Sequence, residues 1–450
     1  MSQVSADQSK AFDVSLGLVL KIAVPMTIAY LSTPIVGITD TFVIGQLGDP
    51  ALLGGIAVGA ILFDLLFSSF NFLRSGSTGL TAQAYGAQDD VEIGAVLLRF
   101  CMTAVILGLL LLALREPFLQ LGLAFMEPSP EVAQATETYF LIRILAAPFT
   151  FLNFAILGWV LGLGRAGTGL LLQTMLNGLN IGLSLLLVLV YDWGVAGAAW
   201  ATFTAELVTA FAGVGLILAQ ARATSHSGQW PSRARLFDAS RFKAMFGLNR
   251  DIMIRSFCLV FAFAYFTAQG AQSGDVVLAA NAILMNFFFV AGYFLDGFAT
   301  AAEQLVGRAV GARWRPAYDR TLWLTVVWGF ILSGFLTAVM LVFGPAFIDT
   351  MTTSEDVRLH AGDYLIWAAL TPLAGVLAFQ MDGVFIGATW SRDMRNMMLL
   401  SLGLYLLTLH SFSDLWGNHA LWIALLVFLG ARGLSLSVIS IPRARQTFSG

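Results

Sequence analysis

Apolar residues run along this chain in stretches of roughly 20, cut by short turns rich in Gly, Pro, Asp and Arg. Reading from turn to turn predicts twelve such stretches, at 15–40, 51–73, 92–114, 134–157, 168–190, 195–218, 247–272, 276–303, 321–345, 359–387, 397–412 and 419–440. Each is long enough to cross a bilayer as a helix, whereas barrel strands would alternate in polarity over about 10 residues. The eleventh is short; the first, eighth and tenth are long enough to tilt or bend. The polar residues between them carry the next signal. The amino-terminus, the even-numbered loops and the carboxyl-terminus hold sixteen Lys and Arg, among them Lys10, Arg222, Arg235, Arg315 and Arg443. The odd-numbered loops hold two, Arg115 and Arg358. That asymmetry predicts cytoplasmic termini and an even number of spans.

Composition agrees with the pattern. Hydrophobic residues make up 58% of the 450 and charged residues 11%, with a mean hydropathy of +0.80. A soluble domain carries about 25% charge, so this chain must turn much of its surface to lipid. Lipid admits only structures that satisfy their own backbone, which leaves helices. Cys101 and Cys258 lie far apart, no CxxC occurs, and His226, His360, His410 and His419 are scattered. A disulfide framework, a zinc site or thiol chemistry finds no support there, and no cofactor or metal is expected. The net charge of −3 gives no reason to expect a nucleic acid. The apolar run from Leu16 to Ile38 is too long for a signal-peptide core and lacks a clear cleavage site, so it is expected to be retained.

The polar stretch Gln220 to Arg250 divides the chain near its middle. It sets expected boundaries of 1–219 for an N-terminal six-helix lobe, 220–246 for a cytoplasmic linker and 247–450 for a C-terminal lobe. The halves resemble each other at an offset of about 225 residues. Gly48-Asp49 falls on Gly274-Asp275, Gly86-Ala87 on Gly311-Ala312, and Tyr139, Pro148, Gly158 and Gly162 on Tyr364, Pro372, Gly383 and Gly387. Six helices per repeat make the copies parallel, related by an axis along the membrane normal. Their site is then expected between or inside them near the midplane, an arrangement suited to alternating access.

An ionised side chain at mid-membrane costs roughly 2.5–3.5 kcal/mol on insertion scales, so its position is informative. Asp40 follows Thr33, Pro34 and Gly37 in the first span. Pro34 removes a backbone bond and invites a kink, and a carboxyl in such a dry, loosened place would take and give a proton near neutral pH. The alternative is a solvated helix end. Asn177, Asn180 and Ser184 fall on one face of the fifth span, as do Thr202 and Glu206 on the sixth. Such stripes either glue helices together or line a wet cavity; Glu206 is read as a paired structural carboxylate. In the second half Asp296 is expected to pair with Arg255, Glu303 to end a helix, and Asp382 to serve as a second ion or substrate carboxylate. Phe63, Phe70, Met285, Phe287 and Tyr293 would offer ring faces and soft sulfur to flat cations. Candidate substrate contacts are Asp40, Asn153, Asn177, Met285 and Tyr293; candidate cation-coupling residues are Asp40, Asn180, Thr202 and Asp382.

These residues resemble the multidrug and toxic compound extrusion (MATE) family, DNA-damage-inducible (DinF) branch. The likeness covers nearly the whole chain. Ile22-Ala23-Val24-Pro25, Thr39-Asp40-Thr41, Gly45-Gln46-Leu47-Gly48, Ala82-Gln83-Ala84-Tyr85-Gly86-Ala87 and Gly194-Val195-Ala196-Gly197 carry the family pattern. Leu248-Asn249-Arg250-Asp251, Leu295-Asp296-Gly297 and Asp382-Gly383-Val384-Phe385 carry the branch. The resemblance implies an all-α integral membrane fold, twelve helices in two parallel-related six-helix bundles forming a V. It implies export of organic, mostly lipophilic cations in exchange for protons or sodium, with Asp40 matching a central carboxylate of the first helix. Asn180 and Thr202 match an Asn and a hydroxyl of the fifth and sixth, and Asp382 an acid of the second half. Many members carry an acid one turn after that Asn; here Ser184 stands in its place, which weakens a sodium site and favours H+ over Na+.

The expected protein is thus a proton-coupled multidrug antiporter of a bacterial inner membrane, a monomer whose partners are small organic cations and lipid. Protonation of Asp40 from outside would release the drug and deprotonation to the cytoplasm would reset the cycle. A lipid-linked sugar flippase of the same superfamily is the alternative; it would need a strongly cationic cavity, and intramembrane Arg are few. An intramembrane enzyme is a weaker one: Gly76-Ser77-Thr78-Gly79 faintly matches a serine-protease motif, without a histidine in a partner helix. A channel would need a filter sequence that does not occur.

Overall fold

The computed structural model describes residues 11–223 and 231–449; of Gln220 to Ala223 only the backbone is described. Lys10, His226 and the side chain of Arg222 therefore lie outside the described residues. Among these residues the chain is helical throughout, with no strand. Among the described residues, twelve helical segments are long and apolar enough to cross a membrane.

The first span is α1 (Leu16–Gly45). The second is broken into α2 (Pro50–Ser68) and α3 (Phe72–Gly86), and the third is α4 (Asp90–Ala113). A helix absent from the sequence reading, α5 (Arg115–Met126), follows. Leu121 and Phe125 are exposed on it, as on a helix that lies along a membrane surface. The fourth span is α6 (Pro130–Arg143), a single 3₁₀ turn at Ile144–Ala146, and α7 (Ala147–Gly162). The fifth is α8 (Ala166–Ser184) with a π-helical end at Leu185–Val190, and the sixth is α9 (Gly194–Ala223).

After the short α10 (Arg233–Leu236) the second half runs as α11 (Ala239–Gln272), α12 (Asp275–Gly311), α13 (Arg315–Met351), α14 (Glu355–Gly387), α15 (Ser391–Trp416) and α16 (Asn418–Phe448). The helix of the seventh span starts at Ala239, inside the stretch read as linker. Two of its basic residues are paired there: Arg235 reaches Asp89 at 2.5 Å and Glu92 at 3.0 Å, and Arg241 reaches Glu92 at 2.5 Å. Buried Arg99 closes this network on Glu92 at 2.8 Å and on the carbonyls of Arg235 and Leu236.

The internal repeat is visible in the register of the elements. Helices start at Pro50, Asp90, Pro130 and Ala166 in the first half and at Asp275, Arg315, Glu355 and Ser391 in the second, each pair separated by 225 positions. The packing repeats as well. A Cβ on Gly158 would collide with the Arg74 carbonyl and one on Gly162 would crowd that of Thr78; Gly383 and Gly387 stand in the same relation to Ala299 and Glu303. In each half, the second span and the fourth touch backbone to backbone, as small residues permit in a bilayer. Even the tight turns coincide: Gln88 and Arg313 both take a left-handed conformation, at φ 57° and 52°.

Contacts divide the chain into two compact units, one of Met1–Thr27, Gly86–Gln88 and Gly247–Gly450, the other of Ile28–Tyr85 and Asp89–Phe246. Two expectations are corrected within them. α1 is helical without interruption through Pro34, so the chain is not unwound there; proline deletes one bond, and the turns on either side hold. Glu303 is buried in the middle of α12 rather than ending it. Arg255 reaches Asp382 in this unit.

Candidate functional site

In the unit built from the first half, the polar residues flagged in apolar runs come together. Asn177, Asn180 and Ser184 are all buried on α8, at the helical spacing that puts them on one face. Ser184 donates to the Asp40 carboxylate at 2.8 Å, and Asn180 donates to Thr202 at 2.9 Å. Ser184 also lies 3.5 Å from the Asn180 carbonyl oxygen, and Thr202 turns its own proton to the Ala198 carbonyl at 3.2 Å. One continuous polar chain thus links α1, α8 and α9. Asp40 is only 7% exposed, which rules out the reading of a solvated helix end. A second link lies on the same face of α8, where Asn177 donates to Ser32 of α1 at 2.7 Å and accepts from Gln173 at 3.2 Å. The π-helical turn that begins straight after Ser184 belongs to a class of irregularity common at functional sites.

Asn153 and Glu206 form a pair, the Asn153 amide donating at 2.7 Å to the Glu206 carboxylate and at 3.0 Å to its backbone carbonyl. The structural role expected for Glu206 therefore has a partner. Two residues of this cluster escaped the sequence reading. Arg143, the last residue of α6, donates to the Tyr139 hydroxyl at 2.7 Å and lies 4.5 Å from the centre of the Phe63 ring. It stands in the electrostatic field of Asp64, Asp40 and Glu206. Asp64, exposed on α2 beside Phe63, is a further acid within an apolar run. The rule that singled out Asp40 applies equally to Asp64 and Arg143, since both interrupt hydrophobic spans.

The second half is arranged otherwise. Asp382 is buried between two guanidiniums, those of Arg255 and Arg432, the latter at 2.5 Å. Both bonds fall on one carboxylate oxygen, Oδ2, while Oδ1 is buried without a hydrogen-bond partner. Met285 is buried in the apolar core cluster that also holds Phe266, Phe288 and Tyr405. Tyr293 is half-buried on α12. Phe63 is fully buried, stacked on Phe140 at 5.0 Å between ring centres and packed against Phe67 and Tyr139, with Arg143 over its ring. Ser77 donates to the Ala155 carbonyl at 3.0 Å and so ties helices together. The protease-like reading of that motif loses its nucleophile.

The MatE family model matches residues 25–186 and again residues 252–409. Among curated proteins the chain is 38% identical to DNA damage-inducible protein F of Escherichia coli, over 93% of this chain and 90% of that one. It is 26% identical to a probable multidrug resistance protein NorM of Caulobacter vibrioides, over 93% and 87%. Among solved structures, a MATE in complex with MaL6 superposes with a TM-score of 0.83 at 18% identity and covers 99% of both chains. An outward-facing multidrug resistance MATE transporter superposes with the same score of 0.83 at 16% identity, over 96% of each.

Proposed function

The chain belongs to the MatE family of multi-pass membrane transporters, and from that premise we propose that it is a secondary multidrug antiporter. In this reading it exports organic, mostly lipophilic cations from the cytoplasm of a bacterium, across the inner membrane and with both termini inside, in exchange for entering protons. The observation that carries it is the state of Asp40. It is a buried carboxylate in the last third of α1, hydrogen-bonded by a neutral hydroxyl and backed by a neutral amide and a second hydroxyl. A carboxylate whose hydrogen-bond donors are neutral needs only one proton to become neutral. A sodium ion would need a shell of several oxygens around it, and with Ser184 in place of an acid that shell has one negative charge.

The coupling follows from linkage. An ionised Asp40 accepts from Ser184 and attracts a cation, whereas a protonated one attracts none. The two forms favour different arrangements of α1 against α8, and drug and proton compete through that difference without having to touch. Asp382 takes no part in this cycle in our reading. Its charge is already exceeded by two guanidiniums, so it serves as the centre of an ion-paired anchor in the second half. The flippase alternative draws only on that anchor's excess positive charge and finds no further support.

The test is efflux from proteoliposomes under an imposed pH gradient in sodium-free medium, set beside a sodium gradient at constant pH. Transport that responds to the proton gradient alone is the expected result. A response to sodium alone would falsify proton coupling.

A further inference from the structure

Arg143 occupies the kind of place that an organic cation would seek. Its guanidinium lies 4.5 Å from the Phe63 ring centre and 5.4 Å from that of Tyr139, a pair of ring faces suited to positive charge. It is held to the Tyr139 hydroxyl at 2.7 Å, but its Nε is buried without a partner. Among the described residues no carboxylate forms an ion pair with it, although Asp64, Asp40 and Glu206 all act on it through space. Counted together, the three acids and one guanidinium leave two negative charges when all are ionised. A cation so lightly bonded to an aromatic platform is held by field and faces more than by directed bonds. Its position at the last turn of α6, immediately before the 3₁₀ break at Ile144–Ala146, places it where the helix changes course.

We propose that Arg143 is a tethered competitor for the transported cation. Resting on Phe63 and Tyr139, it occupies the platform between turnovers. An arriving organic cation, drawn by Asp64 on the exposed side, displaces it, and its return favours release. Arg143 thereby sets affinity against turnover, and Asp64 supplies the charge that the substrate meets first. This rests on the efflux reading above but concerns binding rather than coupling. The guanidinium lies over the rings of Phe63 of α2 and Tyr139 of its own helix, and the charges of Asp64 of α2, Asp40 of α1 and Glu206 of α9 act on it.

The experiment measures binding of tetraphenylphosphonium to the purified full-length protein with no gradient applied, and then its efflux from proteoliposomes. Removing one nearby unit charge is worth roughly tenfold in affinity. Arg143→Gln should tighten binding about that much and slow maximal efflux, with Arg143→Lys between it and the unaltered chain. Asp64→Asn should weaken binding by a similar factor with the pH profile of efflux unmoved. Tyr139→Phe keeps the ring and removes only the tether's hydrogen bond, so it should tighten binding a few-fold even if Arg143→Gln fails to fold. Folded Arg143→Gln that binds with unchanged or weaker affinity, or Tyr139→Phe without effect, overturns the proposal. Because binding is read without a gradient, these results stand apart from whether protons drive the cycle.

Discussion

In the first half Asp40, Asn180 and Ser184 meet across two helices through neutral hydrogen bonds. One repeat later Tyr405 and Leu409 stand where Asn180 and Ser184 would be, and Tyr265 and Phe266 fall at the place of Asp40. There Tyr265 packs edge-on against Tyr405 at 6.3 Å and Phe266 against Trp422 at 5.0 Å. The irregularities divide in the same way. The second, fourth and fifth spans of the first half contain a break, a 3₁₀ turn and a π turn. Their partners α12, α14 and α15 run without interruption. Where the second half does bury charge, it neutralises it with two guanidiniums on Asp382, and it adds a reciprocal amide pair between Asn281 and Asn418 at 2.7 and 2.9 Å. The same architecture thus carries a chargeable, irregular half and an ion-paired, regular one. Identical backbone packing leaves the polar chemistry free to differ.

The sharpest way to break this contrast is Asp40→Asn. Proton-driven efflux should fall by at least about a hundredfold, as when a proton-handling group is lost, while the protein stays folded; this is read as initial efflux rate alongside a thermal melt. Asp382→Asn should behave in the opposite sense. It leaves Arg255 and Arg432 buried against a neutral amide, and breaking a buried ion pair from one side costs about 3–5 kcal/mol, seen as a large fall in melting temperature. An Asp382→Asn protein that melts normally yet cannot couple to protons would erase the distinction between the halves. Gly158→Ala and Gly383→Ala should cost similar amounts, about 1–3 kcal/mol each, because each glycine meets a carbonyl across an equivalent helix pair; paired melts check the equality. The smallest effect is expected at the turns. Gln88→Gly and Arg313→Gly should each stabilise by up to about 1 kcal/mol, since both exposed residues adopt positive φ.

The helix count, the spans and the repeat were legible in the sequence because a bilayer imposes length and polarity on every crossing segment. Asp40, Asn180 and Thr202 were legible as polar interruptions of apolar faces, and their mutual bonds follow from helix period plus packing. What one dimension could not give was pairing across helices. Asp382 read as a lone acid until Arg255 and Arg432, 127 and 50 positions away, closed on it. Met285 read as a soft cavity wall, although nothing in its local pattern separates a residue facing a chamber from one facing the core. Helix α5 was hidden by Arg115 and Glu116, which at the end of an apolar run look like the start of a loop. Pro34 promised more disorder than it delivers, because a helix tolerates one missing bond when its neighbours hold both sides.

The constant step of 225 positions between matching elements has a practical consequence for experiment. A residue in the spans that keep this step has a counterpart found by addition, set in an equivalent helix pair but without the same polar partners. The molecule therefore carries its own reference state. A side chain can be transplanted to the sister position, and whatever it does there measures its surroundings rather than its kind.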